Sequence, residues 1–533
     1  MFVFKTIDVF LSLIKLITMS YIVEQTIKGR TYLYRVEAYW DKEKKQSRQK
    51  RTYIGPKNKK YKKSIKSFSS KIVHKNYGNI FLLNWIAEKV GLKSILERCY
   101  PDHYRELLAL AFYEISNEDP LYLFPYWLEE NHLPDVRRMD SSSLSKFCEE
   151  IGRSQQQKLD FQEAWITHLQ PVDALFYDIT SISSYSLNIE FVEWGYNRDE
   201  ENLPQINLGV VFSSKSALPI FYTIYPGSIV DVKTLTNCVK YLKTMGLKDF
   251  LFVLDRGFFS TENITRISNS PLNIDFIQPL PFSLKKARQL IKSHKKELHD
   301  VANNFNFNNE LFSHVKSQIQ LSDRVYPVHI FLNEKAELDQ KQLFMKKLME
   351  IEEKVIKGRK FNSQKEALSF KENNIAKAWQ GYFKYTRSSG MLERNVQRIK
   401  EKINRLGYFI LATNHDFEKE DILTKYRNKD QVEKVFDLLK NEMDGGRLRA
   451  HSQYNADARL FIKFLSLIIQ SQIMRIMREE GLFKTYTMRE LLLELRKVKY
   501  AKINDEIFIS EVSKKNRKIF EAFQIDLNEI HRY

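Results

Sequence analysis

The spacing of apolar and polar residues changes several times along this chain. Between residues 31 and 40, every second position from Tyr32 to Trp40 is aromatic or apolar, which is the period of a β-strand. A polar turn at 41–45 and a second strand at 46–55 complete a predicted hairpin. From about 78 to 170 the apolar residues recur every three or four positions, so this region is predicted to be helical.

At residue 174 the pattern changes to short, almost continuous apolar runs, which are typical of buried strands. Strands are predicted at 174–180, 205–212, 218–225, 250–254 and 274–278, with helices starting at Asp231 and Thr261. The first run contains Asp178 near its end, and the fourth run is followed directly by Asp255. Ligands bind at the ends of strands in open mixed sheets, so both carboxylates are expected at one such edge.

Residues 426–440, YRNKDQVEKVFDLLK, are predicted to form an amphipathic helix. At about 100° per residue, Tyr426, Lys429, Glu433 and Lys440 fall within roughly 60° on one edge of its apolar face. One carboxylate between two cations and a phenol suits a site that holds a metal and a phosphate together. A solvent-exposed face of paired charges is the other interpretation of this helix alone.

Composition and charge indicate a binding partner and exclude several classes of protein. A chain of 533 residues is expected to form two to four domains. Its formal net charge is +19, and residues 42–66 carry twelve Lys or Arg against one acid, which points to nucleic acid first and a membrane surface second. The three cysteines show no CxxC spacing, which excludes a zinc finger and argues against a disulfide framework. The uncharged run at 464–474 is too short to span a bilayer and predicts a core helix.

Three carboxylates from different parts of the chain form the candidate catalytic centre. Asp178 and Asp255 repel each other when they are adjacent, unless they share a divalent cation. Glu433 from a packed helix completes an all-oxygen ligand set for Mg²⁺ or Mn²⁺. Taken singly, each aspartate is more often a cap or turn residue. The combination in the order strand, strand, helix favours the metal site.

These motifs resemble those of the DDE transposases of bacterial insertion sequences. The signature of the insertion-sequence-four type is Tyr, two residues, Arg, three residues, Glu, six residues, Lys, and this sequence has Tyr426, Lys429, Glu433 and Lys440 at that spacing. The segments FYDIT and LDRGFFS resemble the family's other two motifs, and EWGYNRDEENLPQINLGVV (193–211) is similar to the family's stretch between them. The resemblance covers roughly 170–280 and 405–470. Lys429 departs from the expected Arg, keeping the charge but losing the bidentate fork.

The resemblance implies an α/β (α+β) fold with an RNase H-like mixed-sheet core. It implies that Asp178, Asp255 and Glu433 are catalytic and hold two Mg²⁺ (or Mn²⁺) ions, while Tyr426, Lys429 and Lys440 bind phosphates at the element's ends. The expected reaction is strand cleavage at each end and strand transfer into target DNA. A metal-dependent nuclease without strand transfer and a catalytically idle DNA-binding regulator are the alternatives.

The predicted domains follow the changes of pattern. Residues 1–18 are an upstream extension, 19–66 a basic hairpin with a linker, and 67–170 a helical DNA-binding or scaffold domain. Residues 171–281 and 406–480 form the catalytic domain, 282–405 an insertion domain, and 481–533 a C-terminal helical region. The insertion is inferred because 178 positions separate Asp255 from Glu433. In the resembling family, the unit at this place is largely β and helps to hold the DNA end.

Further DNA contacts are expected outside the signature. The basic hairpin is predicted to lie on a DNA backbone or groove, with a solvated surface as the alternative. Trp379, with Tyr382, is a candidate for stacking on an unpaired base or for the core of the insertion. Arg447 and Arg449 are candidate phosphate contacts or part of a surface loop. The expected partners are double-stranded DNA (terminal inverted repeats and target) and a second copy on DNA, without a membrane, in the bacterial cytoplasm with the nucleoid.

Overall fold

The computed structural model describes residues 20–41, 43–57, 72–117, 119–172, 174–186, 188–195, 203–229, 231–247, 250–268, 274–429, 448–503 and 506–530. The chain divides into two compact units. The first comprises residues 1–72 and 503–506, and the second comprises 73–502 and 507–533.

The first unit contains an antiparallel sheet of three strands, β1 (Ser20–Ile27), β2 (Arg30–Asp41) and β3 (Gln46–Pro56), in the order β1-β2-β3. The predicted hairpin is confirmed as β2 and β3, whereas β1 was not predicted. Tyr34 and Tyr53 are paired across β2 and β3, and their rings meet edge to face at 5.5 Å between centroids. Such cross-strand aromatic pairs help to fix the register of a sheet with little core of its own.

Helices follow in the second unit, as predicted for 78–170. They are α1 (Gly78–Lys89), α2 (Leu92–Cys99), α3 (Tyr104–Ser116), α4 (Phe124–Glu130), α5 (Ser141–Arg153) and α6 (Gln155–Leu169). Asp140 caps α5 because its side chain accepts a hydrogen bond from the backbone N–H of Ser143. Most buried apolar residues of these helices belong to one continuous core that also contains the long helix Gln453–Glu479.

A sheet of nine strands forms the centre of the second unit. Its first five strands along the chain are β5 (Ala174–Ser183), β6 (Gln205–Ser213), β7 (Pro219–Pro226), β8 (Leu251–Leu254) and β9 (Asp275–Pro279). Strands β5, β6 and β7 are antiparallel, while β8 and β9 run parallel to β5. Helices α7 (Asp231–Thr244) and α8 (Thr261–Ser268) connect the parallel strands. The predicted RNase H-like mixed sheet is therefore confirmed.

The remaining four strands follow β9 in the chain and extend the same sheet at one side. After α9 (Lys285–Leu298) come β10 (Asn304–Phe307), β11 (Glu310–Leu321) and β12 (Arg324–Asn333), and later β15 (Tyr408–Thr413). Strand β15 pairs antiparallel with both β9 and β12, so the nine strands lie in the order β10-β11-β12-β15-β9-β8-β5-β6-β7. Three strands within the predicted insertion 282–405, namely β10, β11 and β12, thus extend the nine-stranded sheet.

Between β12 and β15 lies a small region with its own apolar core. Its elements are α10 (Glu334–Ile351), α11 (Gln364–Asn374), α12 (Lys377–Gln380), β13 (Phe383–Thr386), β14 (Met391–Arg394) and α13 (Val396–Ile403). Phe344, Leu348 and Ile399 are buried in that core. The short helix α12 leads into β13 through Gly381 and Tyr382.

The chain ends with α14 (Lys419–Arg427), α15 (Gln453–Glu479), α16 (Met488–Leu495), β16 (Lys499–Ile503), β17 (Glu506–Ile509), α17 (Lys514–Ala522) and α18 (Leu527–Ile530). Residues 499–509, expected to be helical, form two strands because they pair in the order β17-β16-β4 with β4 (Ile72–Asn76), a partner that local pattern does not reveal. Of the described helices, α15 alone is long and apolar enough to cross a membrane, and 89% of its most apolar window is buried within the fold.

Candidate active site

Asp178 and Asp255 occupy adjacent strands at the centre of the nine-stranded sheet. The parallel pairing of β5 with β8 joins Tyr177 to Leu254, so the next residue on each strand is one of the two aspartates. Asp255 continues the strand direction, with φ −82° and ψ 161°, before the chain turns at Arg256–Phe258. Because neighbouring strands lie about 4.8 Å apart, this register places the two residues side by side.

The two carboxylates belong to one face of the sheet. Side chains alternate along a strand, and Phe176 and Val253 belong to the core that contains the N-terminal helices and α15. Tyr177 and Leu254 belong to the core on the other face, with α7, α8 and α9. Asp178 and Asp255 therefore fall on the face of α15. Asp178 is also the one partly exposed residue within β5, whose other nine residues are buried.

A lysine from the predicted signature contacts the second aspartate. Lys429 Nζ lies 2.7 Å from Oδ1 of Asp255, and Lys429 is only 7% exposed. Burial alone would raise the pKa of Asp255. The Lys429 ammonium, its hydrogen bond and the backbone N–H groups of Arg256 and Gly257 outweigh burial and lower that pKa. The carboxylate of Asp255 is thus held ionised beside a cation.

Contacts on both sides fix the segment that delivers Lys429. Tyr426 stacks on Phe409 of β15, with ring centroids 6.0 Å apart. Asn428 donates from Nδ2 to Ser214 Oγ at 3.3 Å, which ties the segment to the end of β6. Helix α14 ends at Arg427, and Asn428 is its C-cap. A turn at Asn428 separates Tyr426 from Lys429, and residues 430–440 of the predicted helix lie outside the described residues.

A further contact at the site had no signal in the sequence. Gln278 on β9 is fully buried, and its Nε2 donates to the backbone oxygen of Asp255 at 2.9 Å. This bond holds the chain where it leaves β8, next to the carboxylate. A glutamine within an apolar strand is not distinguishable by pattern from any other buried polar residue.

The donor set present fits a hard divalent cation. Asp178 and Asp255 provide carboxylate oxygens at neighbouring positions, and Asp255 already takes a positive group, the Lys429 ammonium, at hydrogen-bond distance. Glu433, Lys440 and Arg447 lie outside the described residues. Among the described residues, no group of three or more His, Cys, Asp or Glu side chains is placed to hold a metal ion.

Two further predicted DNA-binding residues, Trp379 and Arg449, belong to other parts of the fold. Trp379 is half-buried in the small core between β12 and β15, where its ring stacks on Phe344 at 5.3 Å. This contact agrees with the core alternative for one face of the indole, and base stacking by Trp379 remains a prediction. Arg449 is exposed and lines a cavity beyond the end of β5.

Comparison with known proteins gives the class to which this arrangement belongs. The family model of the transposase DDE domain matches residues 169–469, which is more than half of the chain. The chain therefore belongs to the family of transposases with a DDE domain. No curated protein matches the sequence. Among solved structures, the synaptic complex of piggyBac transposase with hairpin DNA is similar at a TM-score of 0.34 and 9% identity, over 78% of this chain and 76% of the other.

Proposed function

We propose that this protein cleaves DNA at the ends of a mobile element and transfers the strand to target DNA, with Asp178, Asp255 and Glu433 as the catalytic carboxylates. The observation that carries the proposal is the pairing of Tyr177 with Leu254, which sets Asp178 beside Asp255 on one face of the sheet. The match of the DDE domain to residues 169–469 supports it, since the match includes all three acids.

The roles of the side chains follow from their chemistry. Transposases with this domain use divalent metal ions, and here two Mg²⁺ (or Mn²⁺) ions would activate the attacking hydroxyl and stabilise the leaving oxygen of the phosphodiester. Asp178 and Asp255 would hold them with oxygen ligands from a rigid sheet, and Glu433 would add a third carboxylate. The fixed strand register keeps the first two ligands in place without any movement of the backbone.

The finer identity of the element is part of the same proposal. The spacing of Tyr426, Lys429, Glu433 and Lys440 is that of the insertion-sequence-four type, with Lys429 in place of the arginine. Tyr426, Lys429, Lys440, Arg447 and Arg449 are proposed to contact DNA phosphates, and Trp379 an unpaired base. Double-stranded DNA, carrying terminal inverted repeats, is the proposed partner, bound by two copies of the chain in the bacterial cytoplasm.

Charge supports the choice of DNA. The chain has 85 Lys and Arg against 66 Asp and Glu, and a surplus of this size favours a polyanion. A reaction on two DNA ends needs two active sites, which supports a pair of chains on DNA.

The test is Mg²⁺-dependent cleavage of a DNA substrate that carries the ends of the element. Asp178→Asn, Asp255→Asn and Glu433→Gln are each expected to lower the cleavage rate by at least about a hundredfold, because each removes an anionic ligand of the metal ions that would stabilise the transition state. Binding to the same DNA in Ca²⁺ is expected to change by less than about threefold. Asp275→Asn is the matched control, since Asp275 begins the neighbouring strand β9 and pairs with His415 at 3.4 Å.

The products distinguish the alternatives. Joined products in a second DNA molecule support a transposase, and nicked or cut products alone support a nuclease without strand transfer. Retained cleavage in Asp178→Asn or Asp255→Asn would falsify the assignment of the site. Absence of any cleavage by the unsubstituted protein, with tight DNA binding, would favour a regulator.

A further inference from the structure

A cavity of about 930 Å³ opens between the N-terminal helices and the start of α15. Arg449, Arg459, Lys463, Tyr122 and Tyr185 are among its lining residues. Cavities of about 300–1,000 Å³ are of the size that hold small ligands. This cavity has no part in the catalytic site described above.

The cavity is tied to the strand that carries Asp178. The backbone N–H of Leu448 donates to Ser183 O at 2.8 Å, and Ser184 Oγ donates to Leu448 O at 3.0 Å. Ser183 is the last residue of β5, five positions after Asp178. At about 3.3 Å per residue, the cavity begins roughly 17 Å from Asp178 along the strand, which is the length of about five nucleotide steps in B-form DNA.

The charges in the cavity favour an anion. Glu114 is neutralised by Lys463, with Oε2 2.6 Å from Nζ, and Asp119 accepts a hydrogen bond from Asn117 Nδ2 at 3.0 Å. Among the described residues, the Nε of Arg459 is buried and has no hydrogen-bond partner. The N-terminal ends of α5 and α15 also line the cavity through Ser141 and Asn455, and helix N-termini carry partial positive charge.

Aromatic rings lie at the cavity with their surfaces open to solvent. Tyr122 is 58% exposed and Tyr185 is 64% exposed. Exposed aromatic rings beside cations are the combination that binds single-stranded nucleic acid, since the rings stack on bases and the cations contact phosphates. The side-chain amides of Asn117, Asn188 and Asn455 in the lining can bond to base edges.

We propose that this cavity binds an unpaired nucleotide of the DNA strand about five nucleotides away from the cleavage point, with Tyr185 on the base and Arg459 and Arg449 on the phosphate. The inference rests on the proposed function, because it takes DNA as the substrate. A concave site of this volume suits one splayed nucleotide, whereas the bases of a duplex are stacked on each other and do not reach a tyrosine ring.

The test compares two DNA probes on the full-length protein in Ca²⁺. One is a blunt duplex, and the other has the same duplex with a single-stranded overhang of about five nucleotides that contains 2-aminopurine. Tyr185→Ala is expected to weaken binding of the overhang probe about tenfold, to remove the quenching of 2-aminopurine, and to leave the blunt probe unchanged. Tyr126→Ala is the matched control, because Tyr126 is 68% exposed on α4 and is not part of the cavity lining.

Two further arms make the outcome decisive. Arg459→Gln is expected to weaken binding of the overhang probe and to lower the salt slope of that binding by the amount of about one phosphate contact. An unchanged melting temperature of the variant shows that it is folded. Equal effects of Tyr185→Ala and Tyr126→Ala, or equal losses on both probes, would overturn the proposal. Binding of free dAMP as tight as that of the overhang would assign the cavity to a mononucleotide and overturn the DNA version.

The result is separable from the proposed function. Normal cleavage without any overhang preference would refute the cavity proposal and leave the transposase in place. Overhang preference that depends on Tyr185, in a protein that never cleaves, would refute the enzyme and support the cavity.

Discussion

The ammonium group of Lys429 lies 2.7 Å from the carboxylate of Asp255, although 174 positions separate the two residues in the chain. Lys429 comes from the signature segment, where it was expected to grip a phosphate. In the structure its ammonium pairs with one of the proposed metal ligands. A cation that binds Asp255 must compete with this ammonium for the same oxygen.

Replacement of Lys429 by glutamine is therefore expected to strengthen divalent cation binding. In the metal-free protein, the charge-assisted hydrogen bond between Lys429 and Asp255 contributes about 1.5–3 kcal/mol, and metal binding must break it. Its removal therefore corresponds to about a tenfold or larger gain in affinity for Mn²⁺. Lys429→Arg keeps the positive charge and is expected to keep the affinity low. Titration calorimetry with Mn²⁺ in the absence of DNA measures both, and Lys425→Gln on α14 is the matched control.

The opposite result has a definite meaning for this pair. If Lys429→Gln binds Mn²⁺ as weakly as the unsubstituted protein while its affinity for DNA falls, Lys429 acts on phosphate and its contact with Asp255 is incidental. A parallel change in Lys425→Gln would assign the effect to the overall charge of the segment.

The strands of the catalytic core were predictable because each is a short buried run that its own sequence reveals. The runs at 174–180, 205–212 and 250–254 became β5, β6 and β8 with small changes at their ends. The positions of Asp178 and Asp255 at neighbouring points of the sheet followed from these runs. Local pattern was enough there, because strand type and side-chain alternation are properties of a few consecutive residues.

Pairings between distant segments were not predictable from pattern. Strand β12 pairs with β15 about 80 residues later, and this pairing places β10, β11 and β12 in the catalytic sheet. Strands β16 and β17 depend in the same way on β4, more than 400 residues earlier. The contact of Lys429 with Asp255 is of this kind too, since spacing within 426–440 says nothing about which carboxylate a lysine meets.

His132 predicts how stability depends on pH. Burial, and then the charge of Lys75, lower the pKa of His132 to about 4, and its ring stacks on Tyr500 with centroids 3.7 Å apart. The unfolded chain binds a proton on this histidine below about pH 6.5, whereas the folded chain does so only below about pH 4. Its contribution to stability is thus complete above pH 6.5 and is lost as the pH falls toward 4.

His132→Phe is expected to flatten that part of the pH profile while keeping the stacked ring. Between pH 7 and 5 the unsubstituted protein loses at most about 2 kcal/mol of unfolding free energy through this group, and partial exposure of the ring reduces that figure. Chemical denaturation at pH 7, 6 and 5 measures the difference. A constant gap between the two proteins at all three pH values would show that His132 does not titrate in this way.

The sheet of the first unit presents two different surfaces. The register pairs Arg35 with Thr52 and Glu37 with Lys50, so these residues share one face. The adjacent register pair, Val36 with Arg51, belongs to the other face, which also carries Tyr34 and Tyr53. Arg35 and Arg51 are both exposed, and they point to opposite sides of the same sheet.

This geometry allows two arginines to report which face lies on DNA. The face of Arg35 also carries Arg48 and Lys50, so Arg35→Ala is expected to weaken binding to unrelated duplex DNA a few-fold and to lower the salt slope by about one. Arg51→Ala removes the same charge from the aromatic face and is expected to leave both quantities unchanged. Fluorescence anisotropy at several salt concentrations gives the slopes directly. If Arg51→Ala lowers the slope and Arg35→Ala does not, the DNA lies on the aromatic face, and equal slopes in all three proteins would remove this sheet from the DNA interface.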